Sequence, residues 1–363
     1  MDGSLPASAA APESRRQGNY WSSLGPGLYC PLAVATGPGR LALFARSADG
    51  DLVCRRQESG EWSALVSLGV PRAAGGSSSA IPLDWQLSGC AGDGGTVLLF
   101  GRSPDGELLH GRVGADRTGD FECLGAPAAI AGDVAIPLGV AGPPALCAAA
   151  GGRVDLFATA YDGQLLHATL RQGTWSGFAP LGLGRARLGG TDHPVPLPAA
   201  LAACRCGRER MALFVRGAAG DLVMKWWDGT GWSDWGSLGS PELPDPLYPV
   251  VNAPAPLGGP PAACSWGPQR IDVFARGAGG SMLHRHWSGD AWSPFTSLGM
   301  PVTGDMEPIP FSGGVAACSW GAPRLDVFAR ALDGNLHHAW FDGRWDHDAQ
   351  AAARGEGGEG DRY

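Results

Sequence analysis

Short apolar runs centred on a phenylalanine return along this chain, each closed by a polar, glycine-rich break. Leu41-Ala-Leu-Phe-Ala-Arg-Ser-Ala-Asp-Gly50 recurs as VLLFGRSPDG, VDLFATAYDG, MALFVRGAAG, IDVFARGAGG and LDVFARALDG. The phenylalanines are Phe44, Phe100, Phe157, Phe214, Phe274 and Phe328, spaced 54 to 60 residues apart. A period of that length, with several short strands per copy and no helical periodicity, predicts a β-propeller.

The fifth copy serves as the template. Turn chemistry and apolar alternation predict strands at Ala262 to Trp266, Arg270 to Arg276, Met282 to Trp287 and Trp292 to Leu298. Asp49-Gly50, Asp105-Gly106, Asp162-Gly163 and Asp333-Gly334 supply the positive φ of a tight hairpin between the second and third strands. The N-terminal Tyr20-Trp21-Ser-Ser-Leu-Gly25 matches the fourth strand of other copies, whereas the sixth copy loses its pattern after Trp345. The expectation is an all-β, six-bladed β-propeller of four-stranded antiparallel blades, with the N-terminal strand closing the last blade and removing exposed edges.

Residues 19–349 form the ring in this reading, with residues 1–18 and 350–363 as tails. The tails are polar, and neither holds the apolar core of a signal peptide. No apolar run reaches the roughly 18 to 20 residues of a membrane span, so the expected location is cytoplasmic. A net charge of −8 without a basic cluster argues against nucleic acid or an anionic membrane surface as partner.

Two residue types resemble chemical sites until they are placed in the repeat. Cys90, Cys147, Cys204, Cys264 and Cys318 each lie ten residues before the phenylalanine, where the first copy has Val34. They are expected to be small buried packing residues, not metal ligands or disulfides. His110, His167, His284 and His338 share one position in the third strand, occupied elsewhere by Cys54 and Met224, which suggests a packing or hydrogen-bonding slot. No metal site is expected. Arg46, Arg102, Arg216, Arg276 and Arg330 follow the phenylalanine by two residues and are read as turn-fixing or blade-to-blade groups, with Thr159 breaking the set.

Ser265-Trp-Gly-Pro-Gln-Arg-Ile-Asp-Val-Phe-Ala-Arg276, followed by Leu283-His-Arg-His-Trp287 and Trp292-Ser-Pro-Phe-Thr-Ser-Leu-Gly299, resembles the repeat of Photorhabdus-type bacterial propeller lectins. The six-fold count and the Pro-Leu approach to the first strand look more like fungal fucose-binding lectins. These resemblances imply sugar sites between blades, each with an aromatic ring and polar partners for the hydroxyls. In the fungal family, an arginine two residues before the phenylalanine position works with a glutamate twelve residues further on. Here the first position reads Ala42, Leu98, Asp155, Ala212, Asp272 and Asp326, and the second reads Cys54, His110, His167, Met224, His284 and His338. No copy keeps the pair. The bacterial Ser-Trp-Gly survives only at Trp266 and Trp320, with Thr36, Gly92, Ala149 or Cys206 elsewhere.

The connections leading into the first strands are longer than the bacterial pattern implies, and their contents differ from copy to copy. In a propeller they run from rim to axis, so lengthening them predicts a lid around one off-symmetric central pocket. The candidate wall and binding residues are Tyr29, Asp84, Trp85, Tyr248, Asn252, Trp266 and Trp320. Asp133, Asp192, His193 and Glu307 are the candidate acids and bases, and Asp305 with Met306 lies in the same connection as Glu307.

Phosphate-loop, dinucleotide, nucleophile-elbow and zinc-protease signatures are missing from the sequence, and no cofactor is expected. In organisation the chain is similar to fungal propeller hetero-Diels-Alder cyclases. That likeness implies a cofactor-free dehydration or cycloaddition of a hydrophobic terpenoid or polyketide, since a pericyclic step needs chiefly a near-attack arrangement. A lectin binding fucose or another glycan between blades is the alternative, and a protein-interaction platform a third.

Overall fold

The computed structural model describes residues 21–345, apart from 59, 73–83, 93–94, 104, 115–118, 126–127, 132–133, 138, 150, 189–190 and 245–251. Both predicted tails, and Tyr20 of the closing motif, lie outside the described residues. The chain is an all-β, six-bladed propeller. Among the described residues no helix is long and apolar enough to cross a membrane.

Blade 5 shows the plan. Its strands are Ala262–Gly267, Arg270–Arg276, Met282–Trp287 and Thr296–Ser297, hydrogen-bonded in sequence order, each antiparallel to the next. Blade 6 takes three strands from the C-terminal end, Phe311–Gly321, Arg324–Ala331 and Asn335–Asp342. Its fourth is Ser22–Pro26 from the other end of the chain, with Ser22 opposite His338. The ring is thereby closed as expected. Trp21 locks the seam: its indole Nε1–H donates to the Leu298 carbonyl oxygen of blade 5 at 3.1 Å, and its ring meets Phe311 edge-on.

The register decides which side chains meet between blades. Ala262 pairs with Phe274, Cys264 with Asp272, and Phe274 with His284, so these groups share one face of blade 5. That face packs on Leu325, Val327 and Ala329 of blade 6. The arrangement repeats around the ring: Phe100 packs with Val154, Leu156 and Ala158 of the next blade, Phe157 with Met211, Leu213 and Val215, and Phe328 with Leu41, Leu43 and Ala45. All six phenylalanines are fully buried. The five strand-one cysteines are buried free thiols on the phenylalanine-bearing faces, in keeping with the packing role read from the sequence.

The connections leaving blades 2 to 5 pass over their own blade's turn between strands two and three. Leu197 N donates to the Gly163 carbonyl oxygen at 3.0 Å, Leu257 N to Gly220 at 2.7 Å and Phe311 N to Gly280 at 2.9 Å. A Cβ at Gly163 or Gly280 would stand 2.4 or 2.5 Å from the Cβ of Pro196 or Pro310, so these glycines serve the close approach as well as a positive φ. The arginines two after the phenylalanine fasten the connections: Arg102 Nε donates to the Val140 carbonyl oxygen at 2.7 Å and Arg216 Nε to Leu257 at 2.5 Å. In blade 3, Thr159 Oγ1 takes over by donating to the Pro198 carbonyl oxygen at 3.0 Å.

The connections themselves are not plain loops. Among the described residues three contain two-stranded hairpins: Ala128–Ala131 with Val134–Pro137, Gly184–Leu188 with Thr191–Val195, and Glu242–Pro244 with Asn252–Pro254. Ile130, Val134 and Ile136 in the first hairpin and Thr191 and Val195 in the second favour extended backbone, which the reading by length alone overlooked; the strands of the third contain none of these residue types.

Replacing Trp21 by alanine removes the seam hydrogen bond and the contact with Phe311. The expected outcome is a loss of about 3–5 kcal/mol in urea-induced unfolding. A loss below about 1 kcal/mol would show that blade 6 closes without it.

Candidate functional site

Strand two carries a charged ladder on its phenylalanine-bearing face. In blades 5 and 6, Arg270, Asp272 and Phe274, and Arg324, Asp326 and Phe328, alternate along the strand and point toward the next blade. Blade 3 has Arg153, Asp155 and Phe157 in the same places. Because Phe pairs with His across strands two and three, each aspartate also finds an imidazole on its own face.

The resulting clusters are ion-paired and tightly held. Asp272 accepts from Arg270 Nε at 2.8 Å, from Arg270 Nη2 at 2.7 Å, and contacts His284 Nε2 at 2.8 Å. Asp326 is met by Arg324 Nε at 3.0 Å, Arg324 Nη2 at 2.8 Å, Trp320 Nε1 at 2.8 Å and His338 Nε2 at 2.8 Å. Asp155 is met by Arg153 at 2.8 Å, His167 at 3.0 Å, Thr169 Oγ1 at 3.2 Å and, from blade 4, Arg205 at 2.5 Å. All three carboxylates are fully buried, while the arginine on strand two keeps between 19% and 32% of its side chain exposed. The buried pair therefore fixes a guanidinium whose outer edge faces solvent.

Aromatic rings frame these groups. Phe157, Phe274 and Phe328 stack on the histidines at 4.8, 4.8 and 4.4 Å between centroids. A tryptophan of the following blade then closes edge-on, as Trp232 does on Phe157, Trp345 on Phe274 and Trp62 on Phe328. At the outer end of strand one, Trp266 lies under the Arg270 guanidinium at 4.8 Å. Arg324 lies against both Trp320 and Trp340, at 5.3 and 5.4 Å. These indoles are half-buried, so blades 5 and 6 each present an aromatic and guanidinium edge.

Electrostatics explain why the carboxylates stay charged. Burial by itself raises a carboxyl pKa, but the hydrogen bonds from histidine and arginine and the arginine charge outweigh it. Asp272 and Asp326 are held below the ordinary 3.8, and Asp155, with Arg205 added, is held at about 2. His338 moves the other way for a base: burial lowers it below 6.5 by more than Asp326 restores. Its neutral Nε2–H therefore donates to the carboxylate. Asp272, His284 and His286 come within 4.8 Å of one another, as metal ligands do. Arg270 occupies both oxygens of that carboxylate, and its charge opposes a cation there.

The axis is different. A channel of about 220 Å³ runs between the six first strands, lined by segments such as Pro143 to Leu146, Ala200 to Ala203 and Pro260 to Ala263. Among the described lining residues only Ser88 and Cys30 carry polar side chains. The expected walls Trp266 and Trp320 do not line it, because they occupy the outer ends of strands whose inner residues do, and both are engaged by arginine instead. Tyr29 lies under the Arg330 guanidinium at 4.6 Å, a strand-end contact.

Glu307 is exposed on a turn where its backbone N–H donates to Thr303 Oγ1 at 3.1 Å. Asp305 and Met306 are exposed on the same turn. Asp192 and His193 lie on the second strand of a hairpin, opposite Arg187 and Ala186. Asp84 opens the first strand of blade 2, with Trp85 next to it, and Asn252 begins a hairpin strand. Asp133 and Tyr248 lie outside the described residues.

The clusters on strand two were missed by a search for the fungal arginine and glutamate. The sequence held a usable signal: every copy with aspartate at the first position has histidine twelve residues later, whereas alanine there goes with cysteine or methionine. His110 is the remaining case: Leu98 stands where the aspartate would be, and His110 pairs with and stacks on Phe100 and lies 3.5 Å from Glu122.

No protein-family model matches the chain, and no curated protein matches it in sequence. Solved structures match in fold. AofleA from Arthrobotrys oligospora aligns with a TM-score of 0.60 at 17% identity, over 90% of this chain and 88% of that one. The fucose-specific lectin from Aleuria aurantia aligns at 0.55 and 15% identity, over 88% and 95%. BP39L lectin from Burkholderia pseudomallei aligns at 0.52 and 21% identity, over 91% and 98%.

The clusters make stability fall on acidification. Carboxylates with lowered folded pKa values stabilise the fold above about 3.8, and that contribution is lost as pH falls toward 2. His338, also lowered, favours the unfolded chain once pH drops below about 6.5, because the unfolded imidazole takes up the proton more readily. Urea midpoints are expected to hold from pH 7 to 8 and to decline in both windows. His338→Gln, which keeps a donor and cannot titrate, is expected to shrink the upper decline. A midpoint that rises between pH 7 and 5 would contradict the assignment.

Proposed function

We propose that this propeller binds carbohydrate at the edges between blades, using the tryptophan and arginine groups of blades 5 and 6. One observation carries the reading: fixed polar groups beside half-exposed indoles recur at the blade edges, whereas the described lining of the axial channel is small and apolar. Sugars are recognised through such pairs, an aromatic face for the C–H groups and directed donors for the hydroxyls. Arg270 spends Nε and Nη2 on Asp272, leaving Nη1 on the far side of the guanidinium as a donor whose position is already set. That preorganisation lowers the entropic cost of capturing a hydroxyl.

The fold neighbours support the same reading, since the Aleuria aurantia neighbour is a fucose-specific lectin and a point mutant of it was solved with α-methyl-L-fucoside. The fungal arginine and glutamate are replaced here by aspartate and histidine, with the arginine moved two residues upstream to Arg270 and Arg324. The chemistry offered is therefore a donor-rich edge, and fucose is one candidate among neutral sugars. A cofactor-free cyclase acting on a hydrophobic substrate needs an acid, base or polarising donor at the axis, and the described channel lining offers only Ser88, Cys30 and backbone.

Titration calorimetry with a panel of neutral monosaccharides, fucose among them, tests the proposal. Saturable binding at about two sites per chain is expected, weakened about tenfold or more by Trp320→Ala or Arg324→Gln at one of them. Silence toward every sugar, with a one-site response to a terpenoid or polyketide intermediate, would overturn it in favour of the axial enzyme.

A further inference from the structure

The tryptophan of strand one is replaced by Gly92 in blade 2, Ala149 in blade 3 and Cys206 in blade 4. Where blades 5 and 6 fill that space with an indole, the other side of the ring holds a cleft of about 690 Å³. Gly92, Ala149, Gly151, Gly152 and Gly207 form much of its wall, and three arginines, Arg112, Arg153 and Arg205, reach it from three successive blades. Among the described residues no carboxylate lines it, in a protein whose net charge is −8.

The charges do not cancel as they do in blades 5 and 6. There one arginine balances one aspartate. Here Arg153 and Arg205 share the single carboxylate of Asp155, which lies beneath the surface, and Arg112 is exposed with no acid in the lining. Arg205 is peculiar to blade 4, since the same position is serine in blades 5 and 6 and alanine in the other blades. The Nε–H groups of Arg153 and Arg205 are buried and still lack an acceptor. Two net positive charges among the described groups, donors short of an acceptor and a volume that suits a small ligand all favour an anion.

We propose that this cleft is a separate binding site for an acidic saccharide, one bearing a carboxylate or sulfate, whose anionic group docks between Arg112 and the Arg153–Arg205 pair. The saccharide part of the assignment rests on the carbohydrate reading of the ring; the anionic part stands on the cleft itself. Glycine and alanine walls leave room for the ring of the sugar where the sibling blades have tryptophan.

The test is calorimetry on the full chain with glucuronic acid, a sialylated trisaccharide, a sulfated monosaccharide, the matching neutral sugars and inorganic sulfate. One site per chain is expected for an acidic saccharide, weakened at least tenfold by Arg112→Ala and by Ala149→Trp, which refills the cleft as in blades 5 and 6. Neutral sugars are expected to be unaffected by either variant, and thermal melting confirms that both variants are folded. Acidic and neutral sugars binding alike, or acidic binding unchanged in Arg112→Ala, would overturn the proposal while leaving the carbohydrate reading intact. Inorganic sulfate binding as tightly as the acidic saccharides would overturn the saccharide as occupant. Binding of acidic saccharides with silence from every neutral one would uphold the cleft and overturn the sites on blades 5 and 6.

Discussion

The ring depends on one repeated contact, a buried phenylalanine on strand two pressed against the aliphatic face of the following blade. Each blade is a small twisted sheet that cannot bury both faces alone, so stability resides in the interfaces. A fully buried phenylalanine contributes about 1.5–3 kcal/mol of transfer free energy before packing is counted, and the ring has six such side chains. Histidine stacked on the ring and tryptophan closing its edge complete the interface in several blades. Every other feature is arranged around that contact: the turn glycines that let connections pass closely, the arginines that fasten them, and the seam at Trp21.

The polar clusters are built on the same face and inherit its geometry. Alternation along strand two places arginine, aspartate and phenylalanine in a row, and antiparallel pairing brings the histidine into line. A buried carboxylate is expensive unless its lone pairs are used, and here they are used by three to four donors. The consequence is a rigid inner layer beneath a partly exposed guanidinium, which is how a surface edge acquires directional donors. Variation between blades then sets what that edge is: an indole beside it in blades 5 and 6, and open space with surplus positive charge around blade 3.

Much of this was legible in the sequence. The phenylalanine period, the Asp-Gly turns and the Trp21 motif identify the blades, their order and the closure, because each reflects a local rule about strands or turns. The cysteine and histidine positions were also readable, since equivalence within a repeat exposes a packing slot. The connections were read only as long loops, and their hairpins emerged from pairings between segments whose own patterns are short and mixed.

The chain's linear pattern by itself determined the repeat, the strand order within a blade and which residues share a face, because backbone alternation and turn preferences act over a few residues. Only the tertiary structure decided where the chemistry lies. Asp155 gains Arg205 from fifty residues away because the two blades abut, and Trp266 turns from an expected channel wall into a partner of Arg270 because only the inner end of its strand faces the axis. Charge balance at each edge and the space left by a missing indole are properties of neighbouring blades taken together, and those neighbours are fixed by the closing of the ring.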